Sequence, residues 1–249
     1  GSRTYDAIIR ALEAINGHID RRPLYSWNQY RWADLLVTIL WCGERETDET
    51  RQRWFRTLAQ RIHNQGYDWG AHFERFPFAG KSDRWTFDRH VVNNAMGIKA
   101  PGLWELYTSG RVSAERVLAP IRMLDEHHGQ ATGMFSGDEC FSGRMPSQGT
   151  ELCAVVEYLF SLEQILLYNA DVWISDRLEL IAFNALPAPF SPDMWAHQYD
   201  QQVNQVQCAI VEDNLYTTNR PDADLYGLEP HVGCCTANMH QGYPRLVSS

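Results

Sequence analysis

The chain has 249 residues, of which 44% are hydrophobic and 21% charged, and its formal net charge at pH 7 is −9. This length and composition fit one or two globular domains and exclude a disordered tail or a miniprotein. Because the charge is negative, no basic field exists to attract a nucleic acid or an anionic membrane, and we expect neither as a partner.

The chain opens on Gly1-Ser2-Arg3, which lacks the charged and apolar regions of a signal peptide. We expect the natural N-terminus to lie outside this sequence, so the compartment stays open. Residues 4–16 then place apolar side chains at helical spacing and predict an amphipathic helix. Residues 27–41 and 48–63 carry similar apolar stripes on either side of a polar turn at 43–47. This pattern predicts an antiparallel pair of helices.

Three further helices are predicted in the middle of the chain. Residues 85–96 and 101–108 form two short helical patterns, separated by a glycine and a proline. Residues 113–127 form another, with Ser113 at the N-cap position and Gly129 after its end.

Residues 129–149 are rich in Gly, Ser and Asp and have no period, so we interpret them as a long functional loop. Residues 150–167 resume a strong helical pattern, and 176–183 are predicted to be helical. Beyond them the chain becomes irregular, with a short strand pair expected around 206–211. A last segment is expected at 236–246.

Successive helical hairpins of roughly 30–45 residues are the building units of α/α toroids. We therefore predict an all-α fold: a partial (α/α)6 barrel of helical hairpins with irregular loops and a short β-hairpin near the C-terminus. We expect one catalytic domain over residues 1–249. Because a complete six-hairpin toroid needs more residues than this, we expect the chain to be a portion of a longer protein.

Three short segments carry thiols and carboxylates that are suited to chemistry: Glu139 in a Gly-Asp-Glu-Cys-Phe run, the pair Glu151 and Cys153 at a helix start, and the vicinal Cys234 and Cys235 after a glycine. The first turn of a helix favours anions such as thiolates and carboxylates. Vicinal cysteines can reach one ion where a glycine lets the backbone bend. Together, Glu151, Cys153, Cys234 and Cys235 would complete a tetrahedral zinc shell.

A shell of four protein ligands is usually structural, so a zinc staple is one alternative interpretation. The spacing differs from that of zinc ribbons, because no C-x-x-C pair occurs. Two simpler interpretations also remain open at this point. Cys153 can be a small buried hydrophobic residue, and Glu151 can merely occupy the first turn of a helix.

Residues 137–157 (GDECFSGRMPSQGTELCAVVE) and 231–246 (HVGCCTANMHQGYPRL) resemble glycoside hydrolase family 127, the β-L-arabinofuranosidase family formerly described as a domain of unknown function. Residues 87–104 (FDRHVVNNAMGIKAPGLW) and 178–205 resemble an uncharacterised branch of the same family. The resemblance covers the chain from about residue 27 to the C-terminus, and its joint E-x-C and C-C signature is specific.

The resemblance implies a retaining glycosidase that acts on an arabinofuranoside-like glycan with Zn²⁺ as cofactor. Cys234 is implied as the nucleophile and Glu139 as the general acid/base, with His90 and Tyr199 as substrate-binding residues. Asp138 stands where the family has a glycine, and it remains the alternative acid/base. The oligomeric state stays open. The implied zinc ligands are Glu151, Cys153, Cys234 and Cys235.

A general acid must be protonated before the glycosidic bond breaks, so we expect the pKa of Glu139 to be raised. Burial by Phe135 and Phe141, together with repulsion from Asp138, would raise it. Two other functions are considered. One is a non-catalytic, zinc-stapled carbohydrate-binding or scaffold domain, and the other is a toroid of the unsaturated glucuronyl hydrolase or lyase type, which works without this zinc signature.

Overall fold

The computed structural model describes residues 2–210, 212, 220–227 and 233–248. Its internal contacts divide the chain into two compact units, Gly1–Asp68 and Trp69–Ser249. Both units are built mainly from helices, as predicted, whereas the toroidal arrangement and the single domain over 1–249 stay predictions. No helix within the described residues is both long and apolar enough for a membrane crossing.

The first unit contains helices α1 (Ser2–His18), α2 (Trp27–Tyr30), α3 (Trp32–Gly43) and α4 (Glu49–Gln65). The predicted pair at 27–41 and 48–63 is present, except that its first helix is interrupted at Arg31. Helix α4 begins where the Asp48 carboxylate accepts a hydrogen bond from the backbone N–H of Arg51, at 2.8 Å. Its apolar side packs against α3, and the buried core includes Leu36, Phe55 and Leu58.

The second unit begins with α5 (Trp69–Glu74), α6 (Val91–Gly97), α7 (Ala100–Ser109) and α8 (Ala114–His128). The predicted helix at 85–96 is wrong in its first half, because residues 85–90 are irregular and the helix starts after His90. His90 is the N-cap of α6: its ring Nδ1 accepts a hydrogen bond from the backbone N–H of Asn93, at 3.2 Å. This cap places His90 at the edge of the site described below.

A small sheet begins inside the predicted irregular loop and is completed by a strand from much later in the chain. Its strands are β1 (Gly137–Asp138), β2 (Cys140–Phe141), β3 (Gly149–Glu151) and β4 (Asp200–Gln202), in the order β2-β1-β3-β4. Strands β1 and β3 run parallel, and the other two pairings are antiparallel. The strand pair expected around 206–211 is wrong: residues 206–210 form no strand, and 211 lies outside the described residues. The nearby strand β4 pairs with β3 instead.

Helix α9 (Leu152–Leu166) follows β3 directly and forms the centre of the second unit. Helix α10 (Val172–Leu180), the π-helical turn Ile181–Ala185, α11 (Gly233–Met239) and α12 (Gly242–Ser248) all pack against it, as does α6. Eleven of its fifteen residues are buried, and they include Val155, Leu159 and Leu162. This burial on all sides fixes the start of α9, where two of the predicted ligands lie.

Candidate metal and catalytic site

The four predicted zinc ligands come together at the starts of two packed helices. Glu151 is the last residue of β3 and the N-cap of α9, and Cys153 lies in the first turn of that helix. Cys234 and Cys235 lie in the first turn of α11, which packs against α9. One ligand atom from each of the four lies within 4.8 Å of the others, and the Sγ atoms of Cys153 and Cys235 are 3.3 Å apart.

Burial divides these four residues, which we call the thiol cluster. Glu151, Cys153 and Cys235 are buried, whereas Cys234 is exposed. Hydrogen bonds from the thiols of Cys153 and Cys235 lower the pKa of Cys234 to about 3. The hydrogen bond to Cys234 raises the pKa of Cys153, and burial raises that of Cys235. The cluster therefore holds one thiolate while its other thiols keep their protons.

Glu151 has a raised pKa, mainly because it is buried. Its carboxyl is removed from water, and the nearby Glu139 and Cys234 repel its negative charge. A divalent cation at the centre of the thiol cluster would reverse this effect, because it would attract all four anionic forms at once. The electrostatics of the cluster thus favour a bound cation.

The donor set fits a zinc ion. Three thiolates and one carboxylate form a known type of tetrahedral zinc shell, in which sulfurs bound at ~2.3 Å lie about 3.8 Å from each other. The sulfur pair at 3.3 Å is close to that spacing, and small movements would complete the shell. The thiol cluster could therefore hold a metal ion, as the sequence predicted.

Glu139 occupies the turn between β1 and β2, where it adopts a left-handed backbone conformation with φ 67°. Such a conformation is strained for a residue with a side chain and is frequent at functional sites. Gly137 makes the turn possible, since a Cβ there would lie 2.1 Å from Cγ1 of Val91. The strained turn leaves the Glu139 side chain 31% exposed.

Three side chains donate hydrogen bonds to the Glu139 carboxylate. Nε2 of His90 lies 3.2 Å and Nε1 of Trp85 3.1 Å from Oε2, and the Tyr199 hydroxyl lies 3.1 Å from Oε1. Burial alone would raise the pKa of Glu139, but these donors outweigh it, and the pKa is lowered. The expected raised pKa is therefore wrong. Glu139 is a carboxylate at rest.

The three residues expected to raise that pKa are themselves buried. Phe135 and Phe141 are fully buried and contact other aromatic rings, including Tyr158 and His128. Asp138, the alternative acid/base, is also fully buried in β1. A side chain without exposed surface cannot contact a substrate, so the geometry favours Glu139 over Asp138.

His90, Glu139 and Glu151 form a second group whose ligand atoms lie within 4.8 Å of one another. Because Nδ1 of His90 accepts the Asn93 N–H, the ring proton lies on Nε2 and points to Glu139. A metal ligand would need a lone pair at that nitrogen. This group is therefore a hydrogen-bonded arrangement and not a second metal site.

Glu151 connects the two groups. The backbone N–H of Glu139 donates to Oε2 of Glu151 at 3.2 Å, and the backbone N–H of Leu152 donates to the Tyr199 carbonyl at 3.0 Å. His90 and Tyr199 thus both lie at the site, but Tyr199 is fully buried and contacts Glu139 from within the protein. We call His90, Glu139, Trp85 and Tyr199 the glutamate cluster.

Trp85 is the member of the glutamate cluster that sequence reasoning missed. Its indole is 40% exposed and hydrogen-bonds the candidate acid/base directly. The helical pattern assigned to residues 85–96 concealed it, because a tryptophan at helical spacing suggests a packing role. No pattern in the sequence distinguishes it from the other tryptophans.

No family model, curated protein or solved structure matches this chain. The function is therefore argued from the geometry and from the resemblance of the motifs. The site offers an exposed thiol of low pKa, a partly exposed carboxylate and a cluster at the starts of α9 and α11 that could hold a cation. This combination suits nucleophilic attack combined with proton transfer.

Proposed function

We propose that the chain is the catalytic core of a retaining glycoside hydrolase in which Cys234 is the nucleophile and Glu139 the general acid/base. One observation carries the proposal: the thiol of Cys234 and the carboxylate of Glu139 are accessible, whereas Glu151 between them is buried. A retaining glycosidase needs one group that attacks carbon and a second that exchanges protons with the leaving oxygen and with water. These two residues supply such a pair.

Zinc would be held by Glu151, Cys153, Cys234 and Cys235. When bound, it would keep the thiols deprotonated and neutralise part of their combined negative charge. The start of α9 adds a further favourable field, because a helix N-terminus favours anions. Cys234 differs from the other three in its exposure, so it is the ligand with room to bond to a sugar.

The reaction would proceed in two steps that use this chain's own residues. Cys234 Sγ attacks the anomeric carbon, and the bond from that carbon to the leaving oxygen breaks while Glu139 gives its proton to that oxygen. In the second step, Glu139 takes a proton from water, and the water oxygen attacks the anomeric carbon and releases the Cys234 thiolate. The sugar is freed with its original anomeric configuration.

The lowered pKa of Glu139 favours proton acceptance in the second step and disfavours proton donation in the first. A carboxylate at rest is ready to accept a proton from water, but it must first be protonated to serve as an acid. We therefore expect leaving groups that need no proton to be cleaved best. Aryl glycosides belong to this class.

The substrate proposal, an L-arabinofuranoside-like glycan, follows from the motif resemblance, as does the (α/α) toroid. A specific observation favours the second candidate function, a non-catalytic zinc-stapled carbohydrate-binding or scaffold domain. Three of the four ligands are buried, as in structural zinc sites. The exposure of Cys234 is the feature that this alternative leaves without a role.

The proposal is tested by measuring turnover of aryl furanosides in the presence of zinc and a reductant, and then examining the protein by intact mass spectrometry. We expect turnover and a glycosyl adduct on Cys234. Cys234→Ser should reduce turnover by at least about 1,000-fold, a typical loss for a nucleophile, while zinc is retained. Cys208→Ser is the matched control, because Cys208 is also exposed but lies outside the thiol cluster. Loss of zinc and fold together in Cys234→Ser, without turnover in the wild type, would instead support the staple.

A further inference from the structure

Trp85 lies beside the candidate acid/base in an irregular segment, just before the N-cap of α6. Its Nε1 donates to Oε2 of Glu139 at 3.1 Å. Its ring meets that of Phe87 at 4.8 Å and that of His90 at 5.9 Å between centroids, both at steep angles. The indole is therefore held in one orientation by three separate contacts.

Despite these contacts, the indole remains 40% exposed. An aromatic ring that is both exposed and fixed is a preorganised binding surface, because little side-chain entropy remains to be lost when a ligand contacts it. Indole surfaces take the C–H bonds of sugar rings or the faces of aryl rings. The exposed part of Trp85 is thus suited to a ring.

The position of Trp85 relative to Glu139 indicates which part of a substrate it would meet. A general acid contacts the oxygen of the leaving group, whereas the nucleophile approaches the anomeric carbon from the other side. Trp85 hydrogen-bonds Glu139, and the thiols of Cys153 and Cys235 hydrogen-bond Cys234. The indole therefore borders the leaving group and not the sugar that becomes bonded to sulfur.

We infer that Trp85 determines specificity by contacting the leaving group, and that the site prefers a ring-bearing leaving group, a sugar or an aryl group, over an acyclic one. The inference rests on the proposed hydrolase function, and it adds a subsite that the motif resemblance does not assign. Trp85 would also help to hold the carboxylate of Glu139, which is a positioning role.

The two roles of Trp85 both affect one ratio, and Trp85→Phe separates them because it loses the hydrogen bond but keeps a ring. The ratio compares kcat/KM for 4-nitrophenyl β-L-arabinofuranoside with kcat/KM for the methyl glycoside. Loss of the ring contact lowers kcat/KM for the nitrophenyl glycoside more than for the methyl glycoside, and this lowers the ratio. Loss of the hydrogen bond to Glu139 acts mainly on the methyl glycoside, because methanol needs a proton to leave, and it occurs equally in Trp85→Ala and Trp85→Phe.

We expect Trp85→Ala to lower the ratio about tenfold, mainly through KM of the nitrophenyl glycoside, a change equivalent to losing one good ring contact. Trp85→Phe loses the same hydrogen bond but keeps a ring, so its ratio should stay several-fold above that of Trp85→Ala. Trp173→Ala is the matched control, because Trp173 is 38% exposed and lies in α10, outside both clusters. Its ratio should equal that of the wild type.

Trp85→Leu, which keeps apolar bulk without a ring, replaces Trp85→Ala if the alanine variant fails to fold, and the same fall is expected. A ratio in the alanine or leucine variant that equals or exceeds that of Trp85→Phe overturns the inference while leaving the hydrolase proposal in place. If the wild type cleaves neither glycoside and forms no adduct on Cys234, the proposed function fails, and the leaving-group role of Trp85 falls with it.

Discussion

The thiol cluster and the glutamate cluster are joined by the hydrogen bond from the Glu139 backbone to Glu151, but they stabilise buried charge in opposite ways. In the glutamate cluster, one carboxylate receives hydrogen bonds from His90, Trp85 and Tyr199, and its pKa falls. In the thiol cluster, acidic groups face one another, and the pKa of Glu151 rises. The first cluster is complete as the chain folds. The second needs an added cation before its groups can all be anions.

The largest effect is expected from replacing Glu139, the carboxylate that hydrogen bonds stabilise in the glutamate cluster. Glu139→Gln removes the base without changing the size of the side chain, so the second step should slow by roughly 100- to 10,000-fold. The first step with an aryl leaving group needs no proton and should continue. Intact mass spectrometry should then show a glycosyl adduct accumulating on Cys234.

Asp138→Asn is the comparison for Glu139→Gln, because Asp138 is the neighbouring carboxyl and is fully buried. It should cause no adduct to accumulate. Accumulation in Asp138→Asn, with normal turnover in Glu139→Gln, would show that the wrong acid/base has been chosen.

The next test adds a cation that the thiol cluster could hold. A metal that binds only the folded chain stabilises it by about 4 kcal/mol when free metal exceeds the dissociation constant by ~1,000-fold. Thermal unfolding with zinc and with a chelator should differ accordingly. Cys153→Ala should abolish the difference, whereas Cys42→Ala, at an equally buried cysteine outside the cluster, should keep it.

The pH dependence of zinc binding sharpens the same test. Cys153, Cys235 and Glu151 have raised pKa values, so they carry protons that zinc must displace. Binding should therefore release protons, and zinc affinity should fall as pH falls, by about tenfold per pH unit for each proton released. Calorimetry in buffers of different ionisation enthalpy measures the release. Zinc binding without proton release would contradict the charge state assigned to the cluster.

The smallest expected effect comes from removing one donor of the glutamate cluster. Tyr199→Phe deletes a hydrogen bond to Glu139, which should raise the pKa of that carboxyl. Since the first step needs protonated Glu139, the fall in rate on the alkaline side should move to higher pH. The maximal rate should change by roughly fivefold or less, in keeping with about 1 kcal/mol for one hydrogen bond.

Tyr168→Phe serves as the control for Tyr199→Phe. The Tyr168 hydroxyl is buried but has no hydrogen-bond partner within the described residues. Its removal should leave the pH profile unchanged. A profile that stays unchanged in Tyr199→Phe as well would mean that the hydroxyl does not influence Glu139.

The ligands of the thiol cluster could be predicted from sequence because few residue types bind zinc and their spacing carries information. Glu151 and Cys153 lie two residues apart at a helix start, and the helical periodicity of 150–167 indicated that start. The strands of the sheet could not be predicted in the same way. Each has two or three residues, too few to show an alternating pattern.

The charge of Glu139 was beyond local sequence reasoning for a different reason. Its partners Trp85 and Tyr199 lie 54 and 60 residues away along the chain. Neighbours in sequence, such as Asp138 and Phe141, suggested a raised pKa. A pKa depends on what the fold brings near, and here the fold brings three donors.

The loop at residues 142–148 lies between two segments that the sheet holds in place. Its two flanks are fastened together by the parallel pairing of Gly137 with Thr150 and by the hydrogen bond from the Glu139 backbone to Glu151. Residues inserted or deleted between these anchors would alter the exposed stretch at 144–146 without displacing the carboxyl group of Glu139 or Glu151. The length of this segment is therefore independent of the spacing between Glu139 and Glu151.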